Sequence, residues 1–150
     1  MITITFYGLD QFVVGRLSRE LTPLLSKLYE VEEDEINFIA PSAMVFHKGT
    51  EQTSWNILIR VDAPEKAALV QSQAADLLLK GIGEVAIHKT VEFNYYHTSS
   101  RIVHLDPTYP RYLTEENIVG VEGEEYEEME EGEGEDQIYT GDIFANFGDK

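Results

Sequence analysis

The chain has 150 residues, which fits one domain, and 43% hydrophobic with 11% aromatic residues supplies enough apolar material for a core. It has no cysteine, so disulfide, thiolate-metal and cysteine-nucleophile chemistry are excluded. Its net charge is −17, and residues 121–150 carry 12 of the 28 acidic side chains but one of the 11 basic ones. A polyanionic segment without a basic stripe elsewhere argues against direct nucleic-acid binding and against an anionic membrane surface. MITITFYGLDQF lacks a basic stretch followed by an apolar one, and no apolar run reaches the length of a membrane span, so a cytoplasmic protein is expected.

Ile2-Thr3-Ile4-Thr5-Phe6 alternates with period two and predicts a half-buried strand. Gly8-Leu9-Asp10 offers a turn and an N-cap. Val14, Leu17, Leu21, Leu24, Leu25 and Leu28 then mark one face of a helix from Asp10 to about Leu28. Pro23 lacks the N–H that would bond to Arg19 and is expected to kink or break that helix. After Glu32–Glu35, the stretches Ile36 to Ala40 and Ala43 to His47 read as two short strands or one bent strand.

Trp55 to Val61 predicts the best-buried strand, with Trp55, Ile57, Ile59 and Val61 on one face. Asp62-Ala63-Pro64-Glu65 resembles a capping box, so a second helix is expected from about Ala63 to Leu79, stopping at Gly81-Ile82-Gly83. Val85 to Tyr95 alternates as a long strand and leads into Tyr95-Tyr96-His97. The two halves repeat one unit, which predicts an α+β fold: a duplicated β-α-β with a mixed sheet of four to five strands, two helices on one face and a C-terminal extension. The other face, carrying Leu58, would be covered by a second copy.

ITFYGLD near the start, the short hairpin-like IAPSAMVFHKG and EVAIHKTVEFNYYHTSS at the close of the repeat are similar to the tautomerase superfamily. More narrowly, the pattern resembles a small uncharacterised bacterial family with that fold. The resemblance to 4-oxalocrotonate tautomerase and macrophage migration inhibitory factor covers about residues 1–100 and implies a homotrimer around a threefold axis. It also implies catalysis by an amino-terminal proline acting as general base. Here Ile2 follows Met1, so the group on which that activity depends is absent, and an interaction module is favoured over an enzyme.

The alternative is an isomerase acting on a 2-oxo or enol acid through the Met1 amine, with Arg60 and Tyr96 or His97. Lys48 and Arg60 are the candidate anion-binding residues, with Tyr95, Tyr96 and His97 as an aromatic wall or proton carriers. For Arg60 the plainer reading is a solvated strand-end charge near Asp62, and for Tyr95-Tyr96 it is packing at a subunit boundary. His47, His88, His97 and His104 show no ligand spacing, so neither a metal nor a cofactor is expected.

Residues 1–98 form the expected domain. Residues 99–118, with Pro107 and Pro110, read as an extended arm that wraps its own domain or lies along a neighbour. Residues 119–136 are an acidic low-complexity linker, and residues 137–150 restore apolar character. Ile138, Tyr139, Ile143, Phe144 and Phe147 are the candidate partner-binding residues, as a docking element on an acidic leash or as a segment folded back on its own domain.

Overall fold

A computed structural model describes residues 1–114 and Asn117. The strand at the start, β1 (Ile2–Tyr7), is followed by α1 (Gln11–Tyr29), β2 (Ile36–Ile39), β3 (Phe46–His47), β4 (Thr50–Glu51), β5 (Asn56–Pro64), α2 (Gln71–Ile82) and β6 (His88–Tyr96). The main sheet has the order β2-β1-β5-β6. β1 is parallel to β2, β5 is parallel to β6, and the two central strands are antiparallel. The architecture is therefore α+β, with two β-α-β units joined through β1 and β5. β3 and β4 form a separate hairpin. Residues Met1–Tyr112 make one compact unit.

Alternation sends one set of side chains from each strand to the helices. Ile2, Ile4 and Phe6 of β1 and Ile57, Ile59, Val61 and Ala63 of β5 are buried there with Leu17, Leu21 and Leu25 of α1 and Ala74, Leu78 and Ile82 of α2. Asp10 caps α1, its side chain accepting from the Phe12 backbone N–H at 2.8 Å. The helix runs on through Pro23 instead of breaking. One missing backbone bond and the ring clash cost about 3 kcal/mol, whereas each buried leucine on the α1 stripe contributes about 1.5–3 kcal/mol.

Several local expectations give way to pairing in the sheet. Asp62 is not a helix cap but lies inside β5, opposite Thr3 on one side and Asn94 on the other. With neighbours on both edges, β5 continues to Pro64. A 3-10 turn over Glu65–Val70 then precedes α2, so the second α-helix begins at Gln71 rather than Ala63. It ends at Ile82, with Gly83 at φ 57° closing it. Trp55 precedes β5 and is 56% exposed, so it is not on the buried face. Of Ala43 to His47 only Phe46–His47 form a strand. Lys48 and Gly49, at φ 48° and 81°, make the two-residue turn of that hairpin. The last strand starts at His88, not Val85.

By the same alternation and register, the face opposite the helices carries Thr3, Thr5, Leu58, Arg60, Thr90 and Glu92. Residues 101–114 contain neither helix nor strand. No helix among the described residues is long and apolar enough to cross a membrane. Ile138, Tyr139, Ile143, Phe144 and Phe147 lie outside the described residues, as does the acidic linker.

Candidate functional site at the head of β1

The parallel register of β1 and β2 sets Ile2 beside Ile36, so the residues just before each strand, Met1 and Glu35, also become neighbours. The Met1 amino group lies 3.1 Å from Glu35 Oε2. Pairing of Pro64 with Tyr96 brings the end of β6 to the same end of the sheet. There Tyr96 Oη donates to the Met1 carbonyl.

Arg101, on the segment after β6, completes the group. It donates from Nη1 to Tyr96 Oη at 3.2 Å and to the Met1 carbonyl at 3.5 Å, and from Nη2 to Thr3 Oγ1 at 3.0 Å. Its guanidinium also stacks 5.3 Å from the Tyr96 ring centroid. Thr3 Oγ1 in turn donates to Asn37 Oδ1 at 2.9 Å. Arg111 Nη2 reaches Met1 Sδ at 2.9 Å. The first residue is thus held through its amino group, carbonyl and side chain.

Of the residues named from sequence, Met1 and Tyr96 come together and the others lie apart from them. Arg60 sits opposite Thr5, four residues beyond Met1 along β1, or about 13 Å at the usual strand rise. It pairs with Glu92 at 3.5 Å, and that carboxylate, with Asp62 and Tyr7, pushes the guanidinium further up from its ordinary range. Arg60 Nε has no hydrogen-bond partner. His97 engages only its own turn, with Nδ1 2.7 Å from Ser99 Oγ. Tyr95 and Tyr96 point to opposite faces, as successive strand residues must, and cannot form one wall. Tyr95 Oη donates to Gln71 Oε1 at 2.8 Å on the helix side.

A pocket of about 310 Å³ opens on that helix side, lined by Ile2, Tyr29, Pro64, Lys66, Leu69 and Val70 among others. Burial, with a smaller contribution from Tyr95, pushes the Tyr29 phenol up from its ordinary 10.0, so it stays a neutral donor. Its lining combines apolar residues with Lys66, Tyr29 and Glu30, which suits a small ligand with polar as well as apolar parts. No cluster of three or more metal-ligating side chains occurs among the described residues.

Glu35, Thr3, Arg101 and Arg111 were not singled out from sequence. Glu35 was the most legible, because it immediately precedes an apolar stretch that pairs with β1. Arg101 and Arg111 are 100 and 110 residues from Met1 in the chain, and no local pattern marks that approach.

No protein-family model matches the chain, and no curated protein matches it. Solved structures do. The DUF1904 domain of unknown function from Sebaldella termitidis is 18% identical, over 69% of this chain and 95% of that one, with a TM-score of 0.63. A macrophage migration inhibitory factor-like protein from Entamoeba histolytica is 11% identical, over 69% and 93%, with a TM-score of 0.54. A member of the cis-3-chloroacrylic acid dehalogenase family is 15% identical, over 69% and 79%, with a TM-score of 0.51. With TM-scores above 0.5 over 69% of its length, this chain shares the fold of these structures, and in it two β-α-β units flank the antiparallel β1–β5 pair.

Proposed function

We propose that this protein is a homo-oligomeric, cytoplasmic interaction or regulatory module built on the tautomerase-superfamily fold, with no proline-dependent tautomerase activity. A trimer is the assembly favoured. In this reading residues 1–98 are the scaffold, 99–118 an arm, 119–136 an acidic linker, and 137–150 the partner-binding segment through Ile138, Tyr139, Ile143, Phe144 and Phe147. The observation that carries it is the state of residue 1. Met1 is not a proline, its amino group is engaged by Glu35, and its carbonyl is taken by Tyr96 and Arg101.

Affinity capture with the full chain and with a chain ending at Gly120 tests the tail. A partner retained by the full chain alone is expected, and equal capture by both removes the tail from the function. Sedimentation velocity of both chains should give one and the same oligomer.

A second reading, a small-molecule isomerase using the Met1 amine, draws on the pocket lined by Ile2, the residue next to Met1, although Met1 itself does not line it. Keto–enol exchange of phenylpyruvate, followed by ultraviolet absorbance, separates the two. A rate above that of buffer, abolished by blocking the amino group, would establish the isomerase.

A further inference from the structure

Two half-buried guanidinium groups meet at Met1, and none of their partners is negatively charged. Arg101 engages the Met1 carbonyl, the Tyr96 hydroxyl and the Thr3 hydroxyl. Arg111 engages the Met1 thioether and lies 5.4 Å from the Tyr112 ring centroid. Glu35, just before β2, is paired with the Met1 amino group. Among the described residues no carboxylate lies within ion-pair distance of either arginine. Asp106, which lines a hollow of the arm with Arg111 and His104, receives the Thr108 backbone N–H instead.

Of the other described arginines, Arg16 and Arg60 each pair with a carboxylate and Arg19 is exposed, so Arg101 and Arg111 are the half-buried ones without an acid. Withdrawing a charge from water is unfavourable unless a partner compensates for it. A thioether is a weak acceptor, and a guanidinium carries five N–H donors. Arg111 therefore keeps four donors for another acceptor, and Arg101, with three hydrogen bonds, keeps two.

Two separate forks and two uncompensated positive charges match a tetrahedral dianion. A phosphate group carries about −1.5 to −2 charge at neutral pH and three strong acceptor oxygens. A carboxylate, by contrast, is satisfied by a single fork. We propose that Arg101 and Arg111 form a phosphate-binding site at the head of β1, taking inorganic phosphate or the phosphate group of a small monoester. The site does not involve residues 121–150, so it stands or falls apart from the tail.

Calorimetric titration of the full chain at constant ionic strength, with inorganic phosphate, glycerol 3-phosphate and succinate in turn, tests this. One phosphate group per chain is expected, held more tightly than succinate, and the tighter of the two phosphate probes names the source. Arg111→Gln should weaken binding about tenfold or more, the effect of losing a charge-assisted contact. Arg101→Lys keeps the charge but loses the fork, and should weaken binding severalfold while circular dichroism stays unchanged. Arg16→Gln removes the same charge from an exposed helical pair and should leave binding unaltered. Absence of binding by either phosphate probe at millimolar concentration would overturn the proposal. So would tighter binding of succinate, or an equal loss in Arg16→Gln.

Discussion

The same substitution at two glycines should change stability in opposite directions. Gly15 lies in α1 on an exposed surface, and a Cβ built there meets nothing within 4 Å. Gly15→Ala gains helix propensity and restricts the unfolded chain, together worth about 1 kcal/mol of stabilisation. Gly81 lies in α2 where the two helices pack. Its Cβ would come 2.9 Å from Leu21 Cδ1, 3.1 Å from Cδ2 and 3.3 Å from Cγ. Leu21 is only 4% exposed and has little room to retreat. Overpacking of this kind costs about 1–3 kcal/mol, which exceeds the propensity gain, so Gly81→Ala should destabilise by about 1 kcal/mol. Urea unfolding followed by far-ultraviolet circular dichroism, at unchanged m-value, measures both. In a Leu21→Ala background the added methyl has space, and Gly81→Ala should become neutral or stabilising. Equal stabilisation by Gly15→Ala and Gly81→Ala would refute the close approach of α1 and α2 at this point.

Two further outcomes follow from single groups. Burial raises the Tyr29 pKa above its ordinary 10.0, so the folded state prefers the neutral phenol. That contribution is intact below pH of about 10 and is lost as pH rises beyond it, because the unfolded chain ionises first. Urea midpoints should therefore fall more steeply between pH of about 9.5 and 11 in the natural chain than in Tyr29→Phe, and parallel slopes would show that Tyr29 is not buried. Asp10→Ala removes the acceptor for the Phe12 N–H and should cost about 1 kcal/mol in the same unfolding assay, whereas Asp10→Asn should cost far less.

Short-range periodicity carried most of the architecture. The alternation of Ile2, Ile4 and Phe6 and the three-and-four spacing from Val14 to Leu28 each describe an element whose buried face is written in adjacent residues. Their repetition in the second half was enough to expect two β-α-β units, and the observed sheet has them. The acidic composition of residues 121–150 was equally plain in the sequence.

What the tertiary structure decided depends on pairs distant in the chain. Asp62 has the local signature of a cap, but two flanking strands offer β5 more backbone hydrogen bonds than an early helix start would. Tyr95 and Tyr96 look like one aromatic unit until strand alternation sends them to opposite faces. The surroundings of Met1 come from the register of β1 with β2, from the end of β6, and from an irregular segment 100 residues away. A pattern of hydrophobicity specifies which face of an element is buried. It does not specify which polar side chain of a loop arrives at a strand's end, because that is set by the packed fold as a whole.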